Sequence, residues 1–289
     1  MTEVPANRSP TVRRRELGAL LRALRLEHGW TAEEVAERLL VSPSKISRQE
    51  TGQRGVNQRD IRDLCDLYGV AGDQRQRLVD LASEGKQRVW WRATDLPYGT
   101  YIGLEAEAAS IRDYGLGILP GLTQTPEYAR AVVEAAVPSW TPEIVGQRVQ
   151  GRLNRQQRIL GAPEPPRFEA VVDESVLHRM VGTPAIMQAQ LERLLVLSRR
   201  PAISLRVIPY GAGAVPAGNN KFIILSFTSP SVGDVVFIEG LTGDLYLEDP
   251  AEVEVYNATF RALTSLAADT DETREIISGM ITRYASQAR

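Results

Sequence analysis

The chain of 289 residues is poor in the side chains that carry most redox and metal chemistry, with one cysteine, Cys65, and two histidines, His28 and His178. A lone cysteine cannot close an internal disulfide, and such usage fits a reducing compartment. Two histidines leave almost no basis for a histidine-built metal site. Lysine is scarce as well: of 34 basic residues only Lys45, Lys86 and Lys221 are lysines. No apolar run approaches the roughly eighteen residues that a membrane span needs, so no membrane partner is expected. The opening Met1-Thr2-Glu3-Val4-Pro5 has no apolar stretch behind a basic flank. A secretory signal is therefore not expected, and a cytoplasmic location is.

What is present suits a globular chain of two domains: 43% hydrophobic and 24% charged residues over a length too great for one average domain. The net charge of −2 is unevenly spread. Residues 1–92 hold 17 Lys and Arg against 13 Asp and Glu, and the remainder holds 17 against 23. A basic first third on an acidic body suggests that one end meets a polyanion.

Residues 1–12 show no apolar period and read as a disordered arm. Residues 13–85 read as a bundle of five short helices, and 86–289 as a larger α+β domain. Leu17, Leu20, Leu21 and Leu24 form one stripe of a first helix that stops near Gly29. Thr31 with Glu34 three residues on makes a capping box for a second helix, over about 31–39. Ser42 caps a third, with Pro43 at its first position, where the missing N–H costs nothing. That helix runs to about Thr51. Asn57 caps a fourth helix and Asp73 opens a fifth. Beyond Trp90-Trp91, helices are expected at about 104–114, 127–136, 142–160, 184–199, 251–267 and 271–286. Strands are expected near 168–173, 203–208, 221–227, 234–239 and 244–248, mostly at hairpin spacing.

Two helices joined by a two-residue link, the second opened by Ser-Pro, describe a helix-turn-helix. Val35, Ala36, Leu39, Val41 and Ile46 supply its apolar seam. Ser44, Ser47 and Arg48 are left on the outer side, flanked by Pro43 and Lys45. A guanidinium at Arg48 matches the O6/N7 edge of guanine, although a role on phosphate or in solvent is open to it too. Thr31, Lys45 and Arg54 are the candidate phosphate contacts. The run Arg13-Arg14-Arg15 reads either as a frayed helix start or as a groove-binding arm.

Segment 20–70, from LLRALRLEHGW through VSPSKISRQETGQRG to DLCDLYGV, resembles the Cro-type helix-turn-helix of phage repressors and xenobiotic-response-element regulators. The resemblance implies a lambda-repressor-like DNA-binding fold and a partly buried structural ion pair between Arg25 and Glu50. The chain departs from that family's pattern at Ala32, where Gln is usual, at Leu40, where Gly is usual, and at Gln49, where an apolar residue is common. The later segments GLEAEAASIRDY, ILPGLTQT, RLNRQQRIL, VVDESVLHRMVG and QLERLLVLS resemble the domain of unknown function that follows the helix-turn-helix in many actinobacterial regulators, WhiJ-like developmental regulators among them. This second resemblance implies a regulator or an antitoxin-like protein, often paired with a small partner protein.

The expected function is that of a sequence-specific, nucleoid-associated transcriptional regulator acting as a homodimer on a double-stranded operator. Residues 86–289 would receive a small molecule or a partner protein. The rival reading is an antitoxin-like protein that binds a small partner and represses its own promoter. No nucleophile–base pair or cofactor loop stands out, so neither an enzyme nor a cofactor is expected. Trp90, Trp91, Tyr98 and Tyr101 read either as a ligand pocket or as a cluster that docks the linker. Pro120 to Thr125 reads as an interaction motif or as a turn that caps the next helix. Gly211, Gly213 and Gly218 fall between two strands and open no helix, which fits a mobile hairpin loop better than a phosphate cradle.

Overall fold

A computed structural model describes residues 9–87, 99–137, 139–218, 220–229, 231–240 and 243–287. The chain divides into two compact units, one formed by residues 1–107 with 227–233 and the other by 108–226 with 234–289.

The first unit is helical: α1 (Pro10–Glu27), α2 (Ala32–Arg38), α3 (Pro43–Glu50), α4 (Gln58–Leu67), α5 (Gly72–Glu84) and α6 (Gly99–Glu105). The first five form a bundle around Leu17, Leu21, Val35, Ala36, Ile46, Ile61, Leu64, Cys65 and Leu78, each at most 3% exposed. Each spacing follows from one apolar stripe per helix turned to a common centre. Cys65 is part of that core, and burial pushes its thiol pKa up. The arm expected over 1–12 falls mostly outside the described residues. Pro10, Thr11 and Val12 form the first turn of α1 and are buried, and Thr11 packs on Gly103 of α6. The arginine run therefore starts inside a helix. Arg13 is held by Glu16, by Glu107 at 2.7 Å and by Glu84 at 3.7 Å, and Arg15 is buried. Neither a frayed start nor a groove-binding arm describes it.

The second unit is built on a six-stranded sheet in the order β3-β2-β1-β4-β5-β6. Its strands are β1 (Ser110–Gly115), β2 (Arg167–Asp173), β3 (Ile203–Ile208), β4 (Phe222–Ser226), β5 (Val235–Ile238) and β6 (Leu245–Leu247). β1, β2 and β3 run parallel, and β4, β5 and β6 continue as an antiparallel meander from β1. The parallel half needs helical crossovers. These are α7 (Pro126–Ala136) with α8 (Pro142–Leu160), then α9 (Ser175–His178) with α10 (Pro184–Leu197). Two closing helices follow, α11 (Pro250–Leu266) and α12 (Thr270–Gln287). One face of the sheet packs Tyr114, Val171, Phe222, Ile224 and Val236 with Val253, Phe260 and Leu263 of α11. α12 packs on α10 and β3 and closes the β3 edge, where Val207 N–H donates to Thr273 Oγ1 at 3.1 Å. Among the described residues, no helix is long and apolar enough to cross a membrane, and no group of three potential metal ligands occurs.

The expected helix over 104–114 is not found. α6 ends at Glu105, and Ser110–Gly115 is the strand at the middle of the sheet, paired on both sides. Its polar residues are accommodated by neighbours: Arg112 donates to Asp234 at 3.0 Å and to Ser226 at 3.1 Å. The expectation of hairpin-spaced strands holds only for the β4–β6 half. The Pro120–Thr125 stretch is the turn reading of the two. Gly121–Thr123 makes one 3-10 turn, and Thr125 Oγ1 accepts from Tyr128 N–H at 3.2 Å to cap α7. Buried amides lock that turn in place. Gln190 donates to Thr123 O at 2.9 Å and accepts from Thr125 N–H at 2.7 Å, while Gln156 donates to the carbonyls of Gly121 and Gln124.

Candidate nucleic-acid interface

α2, the turn Leu39–Val41 and α3 form the helix-turn-helix, and every signal that builds it is local. Thr31 Oγ1 accepts from Glu34 N–H at 3.1 Å, and Glu34 Oε2 accepts from Thr31 N–H at 2.7 Å, so both halves of the capping box are closed. Ser42 Oγ accepts from Lys45 N–H at 3.3 Å, with Pro43 in the first turn of α3. Between them Leu40 holds the turn at φ 53°, the left-handed geometry that glycine adopts freely. Its side chain is 93% exposed, so no burial offsets that strain.

Three contacts hold α3 against α1 and the bundle core. Ile46 is buried in the bundle core. Gly18 of α1 lies against the end of α3 so closely that a Cβ there would stand 2.4 Å from Glu50 O and 2.6 Å from Gln49 O. Arg25 and Glu50 form a two-pronged ion pair, with Nε to Oε1 at 2.7 Å and NH2 to Oε2 at 2.9 Å, and Arg25 NH1 also donates to Trp30 O at 2.7 Å. The Glu50 hydrogen bond raises the Arg25 pKa above its ordinary value, against the opposing effect of burial. Tyr68 packs nearby against Trp30, and its hydroxyl has no hydrogen-bond partner among the described residues. Burial, then the Glu50 charge, push its phenol pKa up to about 12.

The outer face of α3 is polar and open. Pro43, Ser44, Ser47 and Arg48 are exposed, and Arg54 in the following loop is exposed as well. Ser44 and Arg48 stand one turn apart, and Arg48 Nε donates to Ser44 O at 3.1 Å, which fixes the root of the guanidinium. Among the described residues no carboxylate pairs with Arg48 or Arg54. Two of the other candidates are differently placed. Thr31 N–H is served by the chain's own Glu34 carboxylate. Lys45 Nζ lies 2.8 Å from Asp60 Oδ1 of α4, turned sideways from the open face. Asp60 escaped notice in the sequence. It is the third residue of a capped helix, where an acid is common, and no local spacing ties it to Lys45. Of the aromatic cluster, Trp90, Trp91 and Tyr98 lie outside the described residues. Tyr101 is buried and donates to Glu105 at 2.6 Å.

The arrangement can place two hydroxyls and a guanidinium against base edges, with a second guanidinium within the same surface for phosphate. Comparison with known proteins agrees with it in outline. Residues 16–78 match a helix-turn-helix domain family, and residues 98–279 match a domain of unknown function, DUF5753. Comparison with curated proteins and with solved structures returns no match. Since the second match spans well over half of its length, the chain belongs to the DUF5753 family and carries a helix-turn-helix domain ahead of that region.

Proposed function

We propose that this chain is a sequence-specific transcriptional regulator of the Cro-type, xenobiotic-response-element class. It binds a duplex operator through α3 as a homodimer and takes its signal through the DUF5753 region. The observation that carries the reading is the exposed Ser44–Ser47–Arg48 face on a helix held by the Arg25–Glu50 pair. Arg48 reads a guanine edge, a bidentate contact worth about 1–3 kcal/mol of base discrimination. Arg54 positions the helix on the phosphates, and the hydroxyls add contacts at the base edges. One helix of this kind reads few base pairs, so two half-sites about one turn apart supply the remaining affinity. The likeness of residues 90–285 to the domain of unknown function that follows the helix-turn-helix in WhiJ-like regulators, proteins often paired with a small partner protein, supports the signal-receiving role.

Genome-wide capture of DNA by the full chain and by Arg48→Ala tests the reading. Discrete sites are expected for the wild type, with enrichment lost in the variant at those sites that share a guanine at one position. Identical site choice by the two proteins would remove Arg48 as reader. Capture without discrete sites would remove the regulator assignment altogether.

A further inference from the structure

α3 has two polar faces with different fates. Ser44 and Arg48 form the open one. Lys45 and Gln49, each one residue further round at about 100° per residue, form a second that turns to α4. Both of these end on a single carboxylate: Lys45 Nζ meets Asp60 Oδ1 at 2.8 Å, and Gln49 Nε2 donates to Asp60 Oδ2 at 3.0 Å. Gln49 is only 2% exposed, and the side chains of Lys45 and Asp60 are 19% and 15% exposed, so the seam is largely closed to solvent. Asp60 is itself fixed, since its backbone N–H donates to the Asn57 cap at 2.8 Å. A cavity of about 20 Å³ beside the seam, reached also by Ile46 and Asp63, is the size of a single water and leaves no room for a ligand. Asp63, one turn further along α4, faces Arg59 at 3.8 Å.

Resting on the DNA-reading role proposed above, we infer that Asp60 is a positioning residue that withholds Lys45 from the phosphate backbone. Through Gln49 it also fixes the roll of α3. A free lysine next to Ser44 is a point charge on a flexible stem, and it attracts any phosphate irrespective of sequence. Tied to Asp60, it adds nothing to sequence-independent binding. The same carboxylate holds Gln49, so the rotation that presents Ser44, Ser47 and Arg48 is set by the contact that silences Lys45. The device favours specificity over raw affinity.

The experiment is a mutant cycle in the full chain, read as the magnitude of the slope of log affinity against log salt on a labelled random-sequence duplex. Each phosphate neutralised adds about 0.9 to that slope. In the wild-type background, Lys45→Met is expected to leave the slope unchanged. In an Asp60→Asn/Asp63→Asn background, which also removes the other carboxylate that lines the small cavity beside Lys45, Lys45→Met is expected to lower it by about 0.9. Affinity of the Asp60→Asn/Asp63→Asn protein for the random duplex should rise several-fold over wild type, while its affinity for a captured site gains less. A fall of about 0.9 already in the wild-type background means that Lys45 sits on phosphate and overturns the inference, without any need for the Asp60 variant to fold. No fall in either background overturns it too, since Lys45 then never reaches the duplex. A wild-type protein with no salt-dependent duplex binding overturns the DNA-reading role itself, an outcome distinct from the other two.

Discussion

Leu40 carries two penalties at once. Its backbone is left-handed at φ 53°, and its side chain is 93% exposed. The left-handed region costs a residue with a Cβ roughly 1–2 kcal/mol. Glycine removes that cost but surrenders about 0.5–1 kcal/mol to the greater freedom of the unfolded chain. Leu40→Gly should therefore raise the stability of the helical unit by about 0.5–1 kcal/mol, seen as a higher urea midpoint at unchanged slope. A midpoint that falls would show that the leucine makes a stabilising contact in solution. The strain itself was legible in the sequence, because the family's turn carries glycine at the place where this chain has Leu40. The partner of Lys45 was not. Asp60 lies fifteen residues away across a helix–helix seam, and only the packing of α3 on α4 brings the two together.

At the scale of elements, the short helices and the central strand teach opposite lessons. Caps and stripes are local chemistry, so Thr31, Ser42 and Asn57 announced α2, α3 and α4 to within a residue or two. β1 could not be found in this way. Its approach, Glu105 to Ala109, is rich in the strong helix formers Ala and Glu, and Arg112-Asp113 breaks the apolar run by which a central strand is recognised. It is a strand because β2 and β4 claim both its edges, which is a fact about residues far along the chain. The approach of α1 to α3 is equally non-local, and Gly18 makes it testable. A methyl there would overlap the carbonyls of Gln49 and Glu50, whereas one at Gly146 in α8 would meet nothing within 4 Å. Gly18→Ala is expected to cost about 1–3 kcal/mol by forcing α3 away. It should weaken binding to captured DNA sites more than its loss of stability explains. Gly146→Ala should be neutral or stabilising by up to about 1 kcal/mol, as for a glycine in a helix interior. Equal thermal shifts for the two variants would mean that α1 and α3 are not in contact as described.

Over the whole molecule, the two units are assembled by different means. The bundle closes through helices that are neighbours in sequence, with α1 on α5 as its longest-range closure. The sheet instead joins Ser110 to Arg167 and, on the other side, to Ser226, so its central strand is completed only by segments far along the chain. Two cores of such different construction, Ile61 and Leu78 in one and Phe168 and Ile224 in the other, have no side chain in common. The physical expectation is two cooperative openings rather than one. Ile61→Ala removes a side chain that is 1% exposed, at a cost of about 2–5 kcal/mol to the bundle. Hydrogen exchange on the full chain should then show faster exchange throughout α1 to α5, with the slowest amides of β2 and β4 unchanged. Acceleration of the sheet to the same degree would make the chain a single folding unit. On the proposed function, a signal received in the DUF5753 region would then reach α3 through global stability, and not through a discrete change of state in that helix.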